Sequence, residues 1–399
     1  MPQTWYPAGG SAAVACPAMG WYAKERAQDR IADLAGRGLD LPTFWREATE
    51  AVASAVPHYQ SPCWYTLDPA SLLVTSHYQA ELPALPAEWL AQEYYEDDFH
   101  SITSVARSQA GVSTLHEATG GDPSRSARWH ANMAMGGDQE LLIALRTAPG
   151  EPWGLVGLYR EPDRPLFDAD EIAFVRTVAP DLARGARTGL LVGEAADPDG
   201  PEAPGLVVLR EDWSVDSLTP GTERWLSELP DGDWEGQGRL APAVLAVAGR
   251  ALRTAEGESA PGEVAIARVL TTGGRWIVLH GAALVAGAER RVAVIVEPAH
   301  PARIVPLLMA AYGLTDREQE VTRLVLRGDS TAEIADRLVV SPHTVQQHLK
   351  SVFEKTDVRS RRELVGKVFF AHYEPRLRDN ERRVLTGRAL RGGPMPVDE

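Results

Sequence analysis

Between residues 315 and 363 three candidate helix starts set a hydroxyl residue three positions ahead of a glutamate, at Thr315 and Glu318, Ser330 and Glu333, and Ser360 and Glu363. Each pair is a capping box, in which side chains and backbone donors at a helix start satisfy one another. A fourth start stands at Ser341-Pro342, an N-cap followed by a proline where its missing N–H costs nothing. The first helix is predicted from Thr315 to Leu326, burying Val321, Leu324 and Val325 and stopping at Gly328. The second buries Ile334, Ala335 and Leu338 and leaves Val339-Val340 in the turn; the third runs to about Lys355; the fourth carries Leu364, Val365, Val368 and Phe369. Start and stop signals therefore repeat at helix-turn-helix spacing, which restricts this region to a small four-helix domain.

The third helix has two chemically distinct faces. Val345, Leu349, Val352 and Phe353 form an inward stripe, whereas Gln346, Gln347, Lys350 and Ser351 share the outer surface. Glutamine can pair with adenine through two hydrogen bonds in the major groove, and lysine reaches guanine acceptors or phosphate. Arg359, Arg361 and Arg362 add positive charge suited to a phosphate backbone. His348 sits beside the inward stripe and reads as a packing or capping residue.

The run LTDREQEVTRLVLRGDSTAEIADRLVVSPHTVQQHLKSVFEKTDVRSRREL, residues 314–364, resembles the LuxR-type C-terminal helix-turn-helix. Its motif positions fall on Leu314, Thr315, Arg317, Glu318, Glu320, Val321, Gly328, Ile334, Ala335, Leu338, Ser341, Thr344, Val345, His348, Lys355, Val358 and Arg361. The resemblance implies that the third helix is the recognition helix, with Gln346, Gln347 and Lys350 facing bases and the fourth helix at a dimer contact. It brings Ser341, Thr344, Ser351, Arg359 and Arg361 into the candidate DNA-binding set. Many members carry lysine where this chain has Gln346, and leucine where it has Thr356. The implied partners are an operator in double-stranded DNA, read as an inverted repeat by a homodimer, together with RNA polymerase and a small-molecule effector. A docking module for a protein partner is the alternative.

The rest of the chain differs in charge. Residues 312–399 hold 16 basic and 14 acidic residues, a balance of +2, against 24 and 41, or −17, in residues 1–311. The overall −15 thus belongs to the front, which would repel phosphate and lower nonspecific DNA affinity. Two cysteines, Cys16 and Cys63, cannot build a disulfide scaffold or a four-ligand zinc site, and a reducing cytoplasm fits them. The longest apolar stretches, such as Trp276 to Ala286, fall short of the roughly 18 residues of a membrane span, and nothing argues for export.

Breaks at Gly193 to Gly205 and at Glu297 to Pro306 divide the front. The expected fold class is α+β multidomain: two α/β-sandwich sensor-like domains followed by the all-α four-helix domain. We expect a GAF-like domain over 22–192, a linker at 193–204, a PAS-like domain over 205–298 and a linker helix at 299–312. The helix-turn-helix domain follows at 313–373, then a mobile tail at 374–399. The front layout is similar to that of actinobacterial LuxR-family regulators with a GAF-like front. No internal repeat, phosphate loop or phosphoreceiver pattern is visible. Trp64, Tyr65, His77, Tyr94, Tyr95 and Trp129 are the candidate ligand-binding aromatics of the first domain. No metal ligand pair, nucleophile elbow or cofactor motif appears, so neither an enzyme nor a cofactor is expected. The run Glu96, Asp97, Asp98 reads as a solvated loop.

Overall fold

A computed structural model describes residues 17–80, 87–147, 150–191, 204–286, 289–299 and 307–372. The expected linker at 193–204, apart from residue 204, and the expected tail at 374–399 lie outside the described residues. The front begins with α1 (Pro17–Gly36), which the sequence reading did not place, and α2 (Leu41–Ala55), started by Asp40, whose carboxylate accepts the Thr43 N–H at 3.0 Å. Five strands follow: β1 (Tyr59–Leu67), β2 (Val74–Tyr78), β3 (Val112–Thr114), β4 (Gln139–Arg146) and β5 (Pro152–Arg160). Helices α3 (Ala87–Tyr95), α4 (Ile102–Arg107), α5 (Leu115–Ala118) and α6 (Ala127–Ala134) lie between β2 and β4, and α7 (Ala169–Gly189) closes the unit. The strands form an antiparallel sheet in the order β2-β1-β5-β4-β3.

The second unit holds β6 (Gly205–Leu209), β7 (Val215–Leu218), α8 (Thr222–Glu228), α9 (Trp234–Gln237) and α10 (Pro242–Ala255), then β8 (Ile266–Leu270), β9 (Trp276–Ala286) and β10 (Glu289–Pro298). Its sheet order is β7-β6-β10-β9-β8. Counted from its own first strand, this repeats the order of the first sheet, a structural repeat that the sequence does not display.

The two sheets are covered differently. In the first, α1, α2 and α7 bury one face with Ile31, Phe44, Trp45, Val175 and Leu182, and α3, α4 and α10 bury the other. Helices α2 and α7 approach so closely that a Cβ on Gly185 would lie 2.0 Å from the Phe44 ring. In the second, α10 covers the inner face, and a Cβ on Gly281 would lie 2.7 Å from the Val247 carbonyl oxygen.

Helix α10 also packs against α3 of the first unit, where a Cβ on Gly249 would meet the Ala91 carbonyl oxygen at 2.1 Å. One continuous core therefore runs through both front units. Polar ties reinforce it: Arg268 Nε and Nη2 donate to the Asp68 carboxylate at 2.8 and 2.6 Å, and Arg253 pairs with Asp97 at 2.6 Å. The acidic run is thus partly structural, since Asp98 also accepts the Ser126 hydroxyl at 2.8 Å and the Arg128 N–H at 3.2 Å.

Residues 307–311 are helical and face two ways. Leu307, Ala310 and Ala311 pack with Trp153, Leu190, Leu191 and Trp276 of the front, while Met309, Tyr312 and Leu314 enter the C-terminal core. The C-terminal domain comprises α11 (Asp316–Leu326), α12 (Thr331–Leu338), α13 (Pro342–Lys355) and α14 (Arg361–His372). The protein is an α+β multidomain chain, two antiparallel sheets with helices followed by an all-helical domain. Among the described residues no helix is long and apolar enough to cross a membrane.

Candidate nucleic-acid interface

The capping signals set the geometry of the C-terminal domain. Two of the three predicted boxes close reciprocally: Thr315 N–H donates to Glu318 at 2.7 Å and Ser330 N–H to Glu333 at 2.6 Å, while each hydroxyl accepts the glutamate's N–H at 3.3 Å. At α14 the pattern shifts. Glu363 N–H reaches Ser360 Oγ at 3.1 Å, but its carboxylate accepts from Arg359 N–H at 2.8 Å, one residue earlier than the box requires. Ser341 caps α13, accepting the Thr344 N–H at 3.1 Å.

Val321, Leu324 and Val325 of α11, Ile334 and Ala335 of α12, and Val345, Leu349 and Val352 of α13 share one buried core with Leu364. In the turn between α12 and α13, Val339 takes a left-handed backbone (φ 55°) and is 89% exposed. A β-branched residue adopts that region only at a cost, so the turn is held by its surroundings. Val340 N–H donates to Ala335 O at 3.0 Å, and Arg317 Nη2 donates to the Leu338 carbonyl at 2.8 Å.

Glu318 does more than cap α11. Its carboxylate also accepts Ser351 Oγ at 2.5 Å and Lys355 Nζ at 2.6 Å, clamping α11 to the C-terminal half of α13. Burial pushes its pKa up, but the bonds from Lys355, Ser351 and the Thr315 N–H outweigh burial and hold it at about 2. The sequence reading recognised only the capping role, because Ser351 and Lys355 lie far along the chain from Glu318.

The candidates on α13 divide accordingly. Gln346, Gln347 and Lys350 are exposed on the face opposite the buried stripe. Gln347 lies 3.2 Å from the His343 ring, and Lys350 stands 4.0 Å from Glu354, both contacts on the open surface. The hydroxyls of Ser341 and Thr344 are 2.9 Å apart at the exposed start of the helix. Ser351 is a correction: expected on the outer surface, it is half-buried and its hydroxyl is committed to Glu318. Arg359 and Arg362 are exposed, whereas Arg361 turns inward and buries Nη2 with no hydrogen-bond partner among the described residues.

The aromatic candidates of the front do not gather at one place. Trp64 is fully buried on the α2 side of its sheet, stacked on Trp45 at 4.6 Å with Nε1 donating to Thr49 Oγ1 at 2.9 Å. Tyr65, the next residue in β1, necessarily points to the other face and stacks on His77 at 4.7 Å. Burial pushes the His77 pKa down to about 4, and its Nε2 and the Tyr65 hydroxyl have no hydrogen-bond partner among the described residues. Tyr94 is a structural bolt, its hydroxyl donating to Leu72 O at 3.1 Å and accepting Val74 N–H at 3.0 Å. Tyr95 bonds Glu256 at 3.1 Å and accepts from Arg290, and Trp129 Nε1 donates to Asp138 at 3.0 Å. Only Tyr65 and His77 are therefore brought together.

A buried charge cluster went unseen in the sequence. Arg128 forms a two-point bond to Glu140 (2.6 and 2.8 Å) and a further one to Glu93, with Asn132 Nδ2 donating to Glu140 at 3.2 Å; His100 Nδ1 stands 3.4 Å from the same carboxylate. Burial opposes charge on Glu140, but Arg128 outweighs it and holds the carboxyl below the usual range; for Glu93 burial prevails and the pKa rises. His100 Nδ1 only lies near the Glu140 carboxylate and makes no hydrogen bond among the described residues, the ring bonding instead through Nε2 to Ser113 O at 3.0 Å. These members come from α3, α6, β4 and a loop, so no local spacing announces them.

A compact four-helix domain with a capped, polar-faced third helix following a short turn defines the helix-turn-helix class. Residues 313–368 match the family described as bacterial regulatory proteins, luxR family. The chain is 38% identical over 52 residues to the spore germination protein GerE of Bacillus subtilis, covering 13% of this chain and 70% of GerE. It belongs to the LuxR family of bacterial regulatory proteins. It is also 41% identical over 59 residues to the transcriptional regulatory protein DesR of Bacillus subtilis, covering 15% of this chain and 30% of DesR. A putative HTH-type transcriptional regulator of Mycobacterium tuberculosis is 52% identical over 52 residues, 13% of this chain; the chain spans only 6% of that relative's length. Among solved structures, the phycoerythrobilin-bound GAF domain of a cyanobacterial phytochrome aligns with 42% of this chain and 96% of its own, at 19% identity and a TM-score of 0.31. That superposition is too loose to carry a functional reading of the front.

Proposed function

We propose that this protein is a sequence-specific DNA-binding transcriptional regulator, acting in the cytoplasm as a homodimer on an inverted repeat. The observation that carries this reading is the face of α13: Gln346, Gln347 and Lys350 stand exposed and adjacent on a helix that is capped at its start and clamped through Glu318 at its end. Such a helix fits the major groove, where its glutamines and lysine match adenine and guanine edges. Ser341, Thr344 and Arg359 flank it, where they would meet phosphate. Membership of the LuxR family and the regulator relatives support the same assignment. The two front units act as the sensor for a small-molecule effector, with RNA polymerase the partner at the promoter.

The test is enrichment of genomic fragments by the full-length protein, sequenced beside a Gln346→Ala, Lys350→Ala double variant. A shared palindromic motif that the variant loses is the expected result. Enrichment of the same motif by both proteins would remove α13 from the reading role.

A further inference from the structure

Among the described residues, the second sheet leaves open a face that its sequence does not make polar. An antiparallel sheet solvated on one side ordinarily alternates apolar-in and polar-out. In β6 the burial alternates as it should, yet the outward residues are Leu206 and Val208. Register extends this face across the sheet: Leu206 lies opposite Ile295, which lies opposite His280, which lies opposite Ile266. In the next row the half-buried Val208 meets Ala293, a small residue only 7% exposed between its larger neighbours, and Ala293 meets the exposed Ala282. Ile295 is 40% exposed and Leu284, further along β9 on the same side, 39%. One end of the face is already covered, since Val278 is buried and Trp276 packs with Trp153 and Leu307. The open part begins at His280 and is an apolar patch of the kind that marks an association surface.

Charge placement identifies the occupant. Along β10 the outward residues read Arg291, Ala293, Ile295, Glu297, basic at one end, acidic at the other and apolar between. A second copy turned about an axis that crosses the strands lays β10 antiparallel over β10. Ala293 then faces Ile295 of the second copy, and Arg291 faces its Glu297, twice over. Within one chain Arg291 already lies 3.3 Å from Asp216, and Glu297 3.1 Å from His280, so these charges are held at the two rims of the apolar centre. A surface whose charge pattern is its own complement under a twofold rotation fits an isologous interface.

We propose that the outer face of the β7-β6-β10-β9-β8 sheet is the surface on which two copies of this chain dimerise. The inference deepens the reading above and rests on it for the dimer, but not for DNA recognition. Sedimentation velocity of the full-length protein without DNA should show a concentration-dependent dimer. Ile295→Glu, at an exposed position that should not disturb folding, should weaken self-association about a hundredfold or more, with circular dichroism unchanged. Arg291→Glu and Glu297→Arg should each weaken self-association about tenfold alone. Mixing these two single variants should form a heterodimer in native mass spectrometry, because the two cross-pairs are then both of opposite sign. A monomeric parent protein, a dimer untouched by Ile295→Glu, or single variants that fail to pair when mixed would each overturn the proposal. If Ile295→Glu leaves the dimer intact and the parent protein still enriches its palindrome, this surface is wrong and the DNA reading stands.

Discussion

The two front sheets share a strand order and differ in what lies over them. In the first sheet, β4 and β5 are buried almost from end to end, with helices on both faces. In the second, β6 and β8 alternate between buried and half-buried positions, because helix α10 covers only one side. The same topology thus yields a sheet whose central strands are buried on both faces and a sheet with one face that, among the described residues, is left uncovered. Substitutions in the two should therefore fail in different ways.

The largest effect is expected where the sheets are joined. Gly249→Ala places a Cβ against the backbone oxygen of Ala91, which no side-chain movement relieves. Alanine would otherwise favour a helix interior by about 1 kcal/mol, so a loss of more than about 4 kcal/mol in thermal unfolding would show that the α3–α10 contact decides the sign. A stabilised variant would mean that the two units are separable.

Trp64→Ala in the doubly covered sheet should cost about 3–5 kcal/mol through the cavity beside Trp45. Glu140→Gln should cost about 3 kcal/mol by leaving Arg128 with less buried counter-charge, and Arg128→Met, Glu140→Leu, Glu93→Leu together should recover part of it. Denaturant titration reads all of these. Ile295→Ala, on the open face of the second sheet, should lie within about 0.5 kcal/mol under dilute, monomeric conditions. A loss there comparable to that of Trp64→Ala would erase the distinction between the sheets.

A pH effect should appear in the C-terminal domain, whose core is separate from both. Glu318 titrates near 4.5 when unfolded and near 2 when folded, so its contribution is fully present above about pH 4.5 and fades as pH falls toward 2. Hydrogen exchange of α11 and α13 in the full-length chain, corrected for intrinsic rates, should show protection decreasing over that window. Glu318→Gln should flatten the profile; an unchanged profile would show that the clamp carries no stability.

What could be read from sequence follows the range of the forces involved. The C-terminal helices were legible because hydroxyl, glutamate, proline and glycine act within three or four residues, and the buried stripe on α13 lies where the spacing puts it. Most strands of the sheets were legible from apolar runs, but β3 (Val112–Thr114) and β7 (Val215–Leu218), both short edge strands, were not. The common strand order of the sheets was not legible either, since pairing joins residues far apart. Grouping Trp64 with Tyr65 in one pocket overlooked the alternation of a strand, a signal that was present. Ser351 was misplaced for the opposite reason: only the arrival of Glu318 from α11 turns it inward. The Arg128 cluster and the shared core depend wholly on tertiary contacts, and no local pattern encodes them.

The central claim is that α13 reads sequence. It is tested most directly by titrating Lys350→Ala and the parent protein against the enriched palindrome and a scrambled duplex at several salt concentrations. The account predicts a loss of about 1–3 kcal/mol on the palindrome, little change on the scrambled duplex, and relaxed preference at one base position. Equal weakening on both duplexes, with the salt slope lower by about one unit, would place Lys350 on phosphate. Unchanged binding to both would contradict the claim.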